Sequence, residues 1–151
     1  HVVCWGSASD GGDCSRVSDL LQDGVVDICS TRAAFAALKN TGAVVTWGDG
    51  DLGGSSVVVA DDLSGGVQRL FSTEFAFAAL TDGKVVTWGS HACGGDCLSV
   101  SEMLNRDVRH IYSTKQAFAA VTTMGAVVTW GNPVAGGDAT RVWEHLRQGV
   151  V

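Results

Sequence analysis

The phrase Val-Val-x-Trp-Gly occurs four times in this chain, with tryptophans at Trp5, Trp47, Trp88 and Trp130, spaced 42, 41 and 42 residues apart. Self-similarity at such a period marks propellers and solenoids, whose modules bury their faces only against neighbouring modules. Other positions recur in step. Glycine pairs follow at Gly11-Gly12, Gly53-Gly54, Gly94-Gly95 and Gly136-Gly137. Ser-Thr pairs at Ser30-Thr31, Ser72-Thr73 and Ser113-Thr114 lead into Ala34–Leu38, Ala76–Leu80 and Ala117–Val121. The 151 residues therefore read as one repeat array: a partial repeat over 1–24, then repeats 25–66, 67–107 and 108–149, with both chain ends open.

Each repeat predicts three short strands and one helical turn. Val25 to Ser30 is rich in β-branched and apolar residues, and Phe35–Leu38 and Val44–Trp47 flank a Lys-Asn-Thr-Gly turn suited to a hairpin. Ala-Phe-Ala-Ala-Leu has helical propensity, but it is too short between a Ser-Thr pair and a glycine turn, so it is assigned as a buried strand. Between the glycine pair and the next strand the apolar period changes. Ser15 is expected to cap one turn carrying Val17, Leu20 and Leu21, and Thr140 to cap another running to Leu146. The fold class is thus all-β, with tandem repeats of about 42 residues forming propeller-like three-stranded blades or an open superhelical array.

Twenty glycines and one proline suit many tight turns, and 46% hydrophobic against 17% charged residues suits a well-buried core. The net charge of −6 argues against nucleic acid as a partner. No apolar run reaches the roughly 18 residues that cross a bilayer. No charged-then-apolar leader opens the chain, so any signal peptide is expected to be absent or removed.

Candidate chemistry is sparse. Asp10, Asp13, Asp49 and Asp51 in the glycine loops are weak Ca²⁺ candidates, with Asp96 and Asp138 beyond them. The acids are not expected to hold fixed loop positions, and aspartate in glycine-rich turns needs no ion to explain it. No metal or cofactor is therefore expected. His91, Cys93 and Cys97 resemble half a zinc site, but no second half exists, and a local Cys93–Cys97 disulfide is the preferred reading. Cys4, Cys14 and Cys29 complete five disulfide candidates whose connectivity stays open, with buried free thiols as the alternative. The histidines lie at unrelated repeat positions and the Ser-Thr pairs recur, so no nucleophile and base stand together and the chain reads as non-enzymatic.

The run Ala-Leu, turn, Gly, Val-Val-x-Trp-Gly, seen at Ala37-Leu38, Gly42, Val44 and Trp47-Gly48 and again through Trp88-Gly89 and Trp130-Gly131, resembles the repeat of the regulator of chromosome condensation superfamily. The short period is closer to the branch of β-lactamase inhibitor protein II, which implies a β-propeller of three-stranded blades. Where that family places Gly and then His before the Ala-Leu strand, this chain has Thr31, Thr73 and Thr114, then Ala34, Ala76 and Ala117. Neither nucleotide exchange nor β-lactamase inhibition is carried over.

Two functions are expected. One is a structural repeat unit of an extracellular or cell-surface, filament-like assembly, whose partners are copies of itself or further repeats of the array. The alternative is a protein-binding propeller module from a larger regulatory protein, with a cytoplasmic location as the alternative to an extracellular one. Its recognition loops would be Ser7–Asp10, Asp49–Leu52, Ser90–Cys93 and Asn132–Ala135, carrying Asp49, Asp51, His91 and Asn132.

Overall fold

A computed structural model describes residues 1–150. Nine strands form three separate three-stranded antiparallel sheets, each in sequence order and each inside one repeat. The first blade is β1 (Val25–Ser30), β2 (Ala34–Lys39) and β3 (Val44–Gly48); the second is β4 (Arg69–Ser72), β5 (Ala76–Leu80) and β6 (Val85–Gly89). The third is β7 (Val108–Ser113), β8 (Ala117–Thr122) and β9 (Val127–Gly131). The register repeats, with Phe35 opposite Trp47, Phe77 opposite Trp88 and Phe118 opposite Trp130. No closed barrel is formed among the described residues.

The Ala-Phe-Ala-Ala-Leu segments are strands, as expected, because their small residues let blades approach closely. Ala34, Ala36 and Leu38 of β2 meet Leu70, Phe77, Ala79, Val86 and Trp88 of the second blade. Ala76, Ala78 and Leu80 of β5 meet Ile111, Phe118, Ala120, Val128 and Trp130 of the third. The inner strands lie side by side, β4 beside β1 and β7 beside β4. One backbone bond joins each pair of hairpin tips: Arg32 N–H donates to Glu74 O and Glu74 N–H donates to Lys115 O, both at 2.9 Å.

Every blade-to-blade seam is locked by its tryptophan. The Trp47 indole N–H donates to Gly11 O, that of Trp88 to Gly53 O and that of Trp130 to Gly94 O, at 3.0–3.1 Å. Each indole also stacks on the phenylalanine of its own blade at 5.2–5.3 Å between ring centroids. Trp5 differs. It is 83% exposed, against 6%, 2% and 3% for Trp47, Trp88 and Trp130, because no described strand pairs with residues 2–6 and no phenylalanine faces it.

The single turns form largely as 3-10 helix, with one α-helical turn, α1 (Trp143–Leu146). Their capping differs from expectation. Ser15 and Thr140 are not side-chain caps; each instead gives its backbone N–H to the carboxylate two residues earlier, Asp13 and Asp138, at 2.9 Å. An ionised carboxylate is a pure acceptor and carries charge, so its bond to a backbone N–H is stronger than a hydroxyl's. Leu21, Leu63 and Leu104, at the ends of these segments, are buried against the seams. Among the described residues no helix is long and apolar enough to cross a membrane.

Candidate binding face

The loops that follow β3, β6 and β9 have one construction. Each opens on a residue in extended backbone (Asp49, Ser90, Asn132), makes a single 3-10 turn and ends on a left-handed glycine (Gly53, Gly94, Gly136). Asp49 and Asn132 accept the N–H of Asp51 and Val134 through their side-chain oxygens at 2.9 and 3.1 Å. These residues therefore shape the loop. The positions free to differ project outward: Gly50 and Asp51, His91 and Ala92, Pro133 and Val134 are all exposed.

A threonine ties each loop to the hairpin tip of its own blade. Thr31 Oγ1 donates to Leu52 O at 3.1 Å, Thr73 to Cys93 O at 3.2 Å and Thr114 to Ala135 O at 3.0 Å. The same oxygens accept the N–H of Ala34, Ala76 and Ala117 at 3.0–3.1 Å. This latch gives the recurrent threonine a structural reason that the sequence reading missed; the recurring Ser-Thr was its only trace. In the third blade a second tie joins Asn132 Nδ2 to Gln116 Oε1.

Loops and tips consequently share one side of the array. At its centre the triplets Ser30–Arg32, Ser72–Glu74 and Ser113–Lys115 line a shallow cleft of about 490 Å³. Ser72 Oγ donates to Ser30 O across the seam at 2.8 Å. Arg32 is exposed and stands over the Phe75 ring at 5.7 Å, and Lys115 pairs with Glu74 at 3.2 Å. Basic, acidic and basic side chains thus alternate along the centre.

Beside the inner edge of the seams, His110 Nδ1 lies 3.1 Å from an Arg69 guanidinium nitrogen and meets the Phe71 ring edge-on at 5.1 Å. Partial burial, then the positive Arg69 and Arg109, hold its pKa below the ordinary 6.5.

The Ca²⁺ candidates are not gathered into a site. Asp13, Asp96 and Asp138 do hold one fixed repeat position, contrary to expectation, and there they accept backbone N–H groups from Ser15, Leu98 and Thr140. Those backbone bonds hold the carboxyls of Asp13 and Asp138 below the usual carboxylate range. Asp10 takes the Ser9 hydroxyl and Asp49 caps its loop. No group of three or more His, Cys, Asp or Glu side chains suited to a metal occurs among the described residues.

The disulfide expectation is also corrected. Cys4 and Cys14 are bonded, and Cys93 and Cys97 are free and half-buried. The third strand position and the residue after the glycine loop meet in the first two copies, as Cys4–Cys14 and Thr46–Ser56, whereas Cys93 lies in the 3-10 turn with its carbonyl held by Thr73. Cys29 is also free; burial pushes its thiol up, against the opposing effect of its bond to Ser72.

No family model matches the sequence, and no curated protein is significantly similar to it. Solved structures are. Human WBSCR16 superposes with a TM-score of 0.53 at 19% identity, over 78% of this chain and 37% of that one. Yeast RCC1 (Prp20), solved with Kap60 bound to it, gives 0.51 at 20% identity over 71% of this chain and 29% of the other. Prp20p from Saccharomyces cerevisiae, described with its binding properties to Gsp1p and histones, gives 0.51 at 20% over 71% and 30%.

Proposed function

We infer a function from the RCC1-like repeat fold of this chain, which spans about a third of the length of these similar structures. We propose that it is a non-enzymatic protein-binding repeat module, recognising its partner with the face built from loops 49–52, 90–93 and 132–135 around the Arg32–Glu74–Lys115 centre. One observation carries this: three latched loops of the same backbone display different side chains on a shared side, which separates holding the surface from varying it. Loops set on a rigid scaffold are where recognition residues concentrate. The yeast protein of like fold, Prp20, is described with Kap60 bound to it and with binding properties to Gsp1p and histones. Neither the fold nor those structures support an extracellular filament.

The test is affinity capture followed by cross-linking, with the wild type beside variants in which each loop is exchanged for another repeat's loop. Because the frame is shared, the exchanges leave folding intact. Loss of a captured partner on exchanging Asp49–Leu52 or Ser90–Cys93 supports the reading; a partner set unchanged by all three exchanges overturns it.

A further inference from the structure

Between the second and third copies, an open groove of about 560 Å³ is lined by Gly50, Asp51, Val57, Val58, Trp88 and His91 among others. Both walls are internal to the array. One is the loop and 3-10 turn after β3, and the other is the end of β6 with the loop that follows it. The corresponding groove one seam earlier is lined by Ala8, Asp13, Arg16 and Trp47 among others. The repeat thus makes the same recess twice, and its side chains can be compared position by position.

In the first groove these residues satisfy one another. Asp13 accepts the Ser15 N–H at 2.9 Å, and the positive Arg16 lies near enough to favour the ionised carboxyl. The fourth copy repeats the arrangement with Asp138, Thr140 and Arg141, and in the third Asp96 accepts the Leu98 N–H at 2.8 Å. The second copy has Ser55 where the aspartate belongs and Val58 where the arginine stands. Val57 N–H consequently has no acceptor among the described residues. Val57 and Val58 are 80% and 89% exposed, so neither serves the core. Asp51, in the same recess, joins no ion pair among the described residues.

Adjacent exposed valines, an open backbone donor and an unpaired carboxylate together suit an occupant that brings apolar contact, a carbonyl and a cation. An extended polypeptide with an aliphatic side chain beside a lysine or arginine supplies all three, and the net charge of −6 draws such a segment in. We propose that this groove docks a basic-aliphatic segment of a partner protein: its aliphatic side chain on Val57 and Val58, its carbonyl on Val57 N–H and its cation on Asp51. The proposal rests on the binding-face reading, since loops 49–52 and 90–93 supply both walls, and it names the partner chemistry.

The probe is the end-capped peptide Ala-Leu-Arg-Ala, with Ala-Leu-Glu-Ala as its charge-reversed control. Each is titrated into the chain and followed by NMR at the Val57 and Val58 methyls and the amides of residues 55–60. Saturable shifts are expected with the arginine peptide, about tenfold tighter than with the glutamate peptide. Asp51→Asn should weaken the arginine peptide about threefold. Ser55→Asp with Val58→Arg copies the first groove's own residues, so the fold is retained and binding should weaken about tenfold or more. No saturable shift overturns the proposal, as does equal binding of the two peptides or equal binding by wild type and the double variant. Association of the chain with itself that the double variant abolishes also overturns it, the occupant then being a second copy. A captured partner lost on exchanging Asp49–Leu52 yet indifferent to the double variant overturns the groove alone and leaves the face reading standing.

Discussion

The hydroxyls of Thr46 and Ser56 lie 3.0 Å apart, at the positions that Cys4 and Cys14 hold one repeat earlier. A side-chain contact thus joins the third strand to the residue after the glycine loop, covalently in the first copy and by a hydrogen bond in the second. In the later copies the contact shifts: Thr87 and Thr129 donate to Gly95 O and Gly137 O, and Cys97 and Ala139 take the second position.

That equivalence predicts two results. Cys4→Thr with Cys14→Ser loses the constraint of a 10-residue separation, worth about 3 kcal/mol by loop-closure entropy. It regains a hydrogen bond worth about 1 kcal/mol. The net loss of about 2 kcal/mol should appear in urea unfolding, with the fold retained. Conversely, Thr87→Cys should oxidise with Cys97, shown by a mass two hydrogens lower without reductant and a cross-linked peptide pair after digestion.

Gly53 and Gly136 separate two costs that usually come together. Both have positive φ, +98° and +107°, but a Cβ on Gly53 would stand 2.5 Å from the Phe77 ring, whereas one on Gly136 meets nothing within 4 Å. Gly136→Ala should therefore lose only backbone strain, about 1–2 kcal/mol. Gly53→Ala adds overpacking of a seam that cannot yield, for about 3–5 kcal/mol in all. Matched denaturant midpoints would contradict the seam geometry.

What the sequence revealed and what it hid follow from where each signal resides. The strands were legible because Phe35, Val45 and Trp47 recur with the period, and burial on a repeat's own faces is a local property. The Cys93–Cys97 expectation fails because Cys93 sits in the 3-10 turn with its carbonyl held by Thr73, so closeness in sequence does not bring the two sulfurs together. The alignment of Cys4 and Cys14 with Thr46 and Ser56 carried the right pairing. The binding face was half legible: loop variability shows in a single sequence, but the bond from Thr31 to Leu52 crosses 21 residues and exists only once β2 and β3 pair.

His110 makes stability depend on pH in a set direction. Its folded pKa lies below 6.5, so the unfolded chain takes up the proton first as pH falls. Its contribution is complete above pH 6.5 and is lost as pH drops through and below that value. Arg69→Ala removes the nearest positive charge and should raise the His110 pKa toward 6.5, read from its imidazole shifts in an NMR titration. An unchanged titration would mean that the 3.1 Å contact is not populated in solution.

Thr73 offers the most direct test that the latches position the loops. Its buried Oγ1 donates to Cys93 O and accepts from Phe75 N–H and Ala76 N–H at 3.0–3.2 Å. Thr73→Val keeps the shape and strands those groups, which costs about 1–3 kcal/mol for buried polar atoms left unpaired. A merely structural threonine would lower global stability and nothing else. A latch also frees the loop, so amide exchange at residues 90–94 should accelerate beyond the global change, while loops 49–53 and 132–136, held by Thr31 and Thr114, keep their protection. Thr73→Ser retains the hydroxyl and should restore both. Uniform acceleration across all three loops would show that they move as one unit and that no single threonine holds its own.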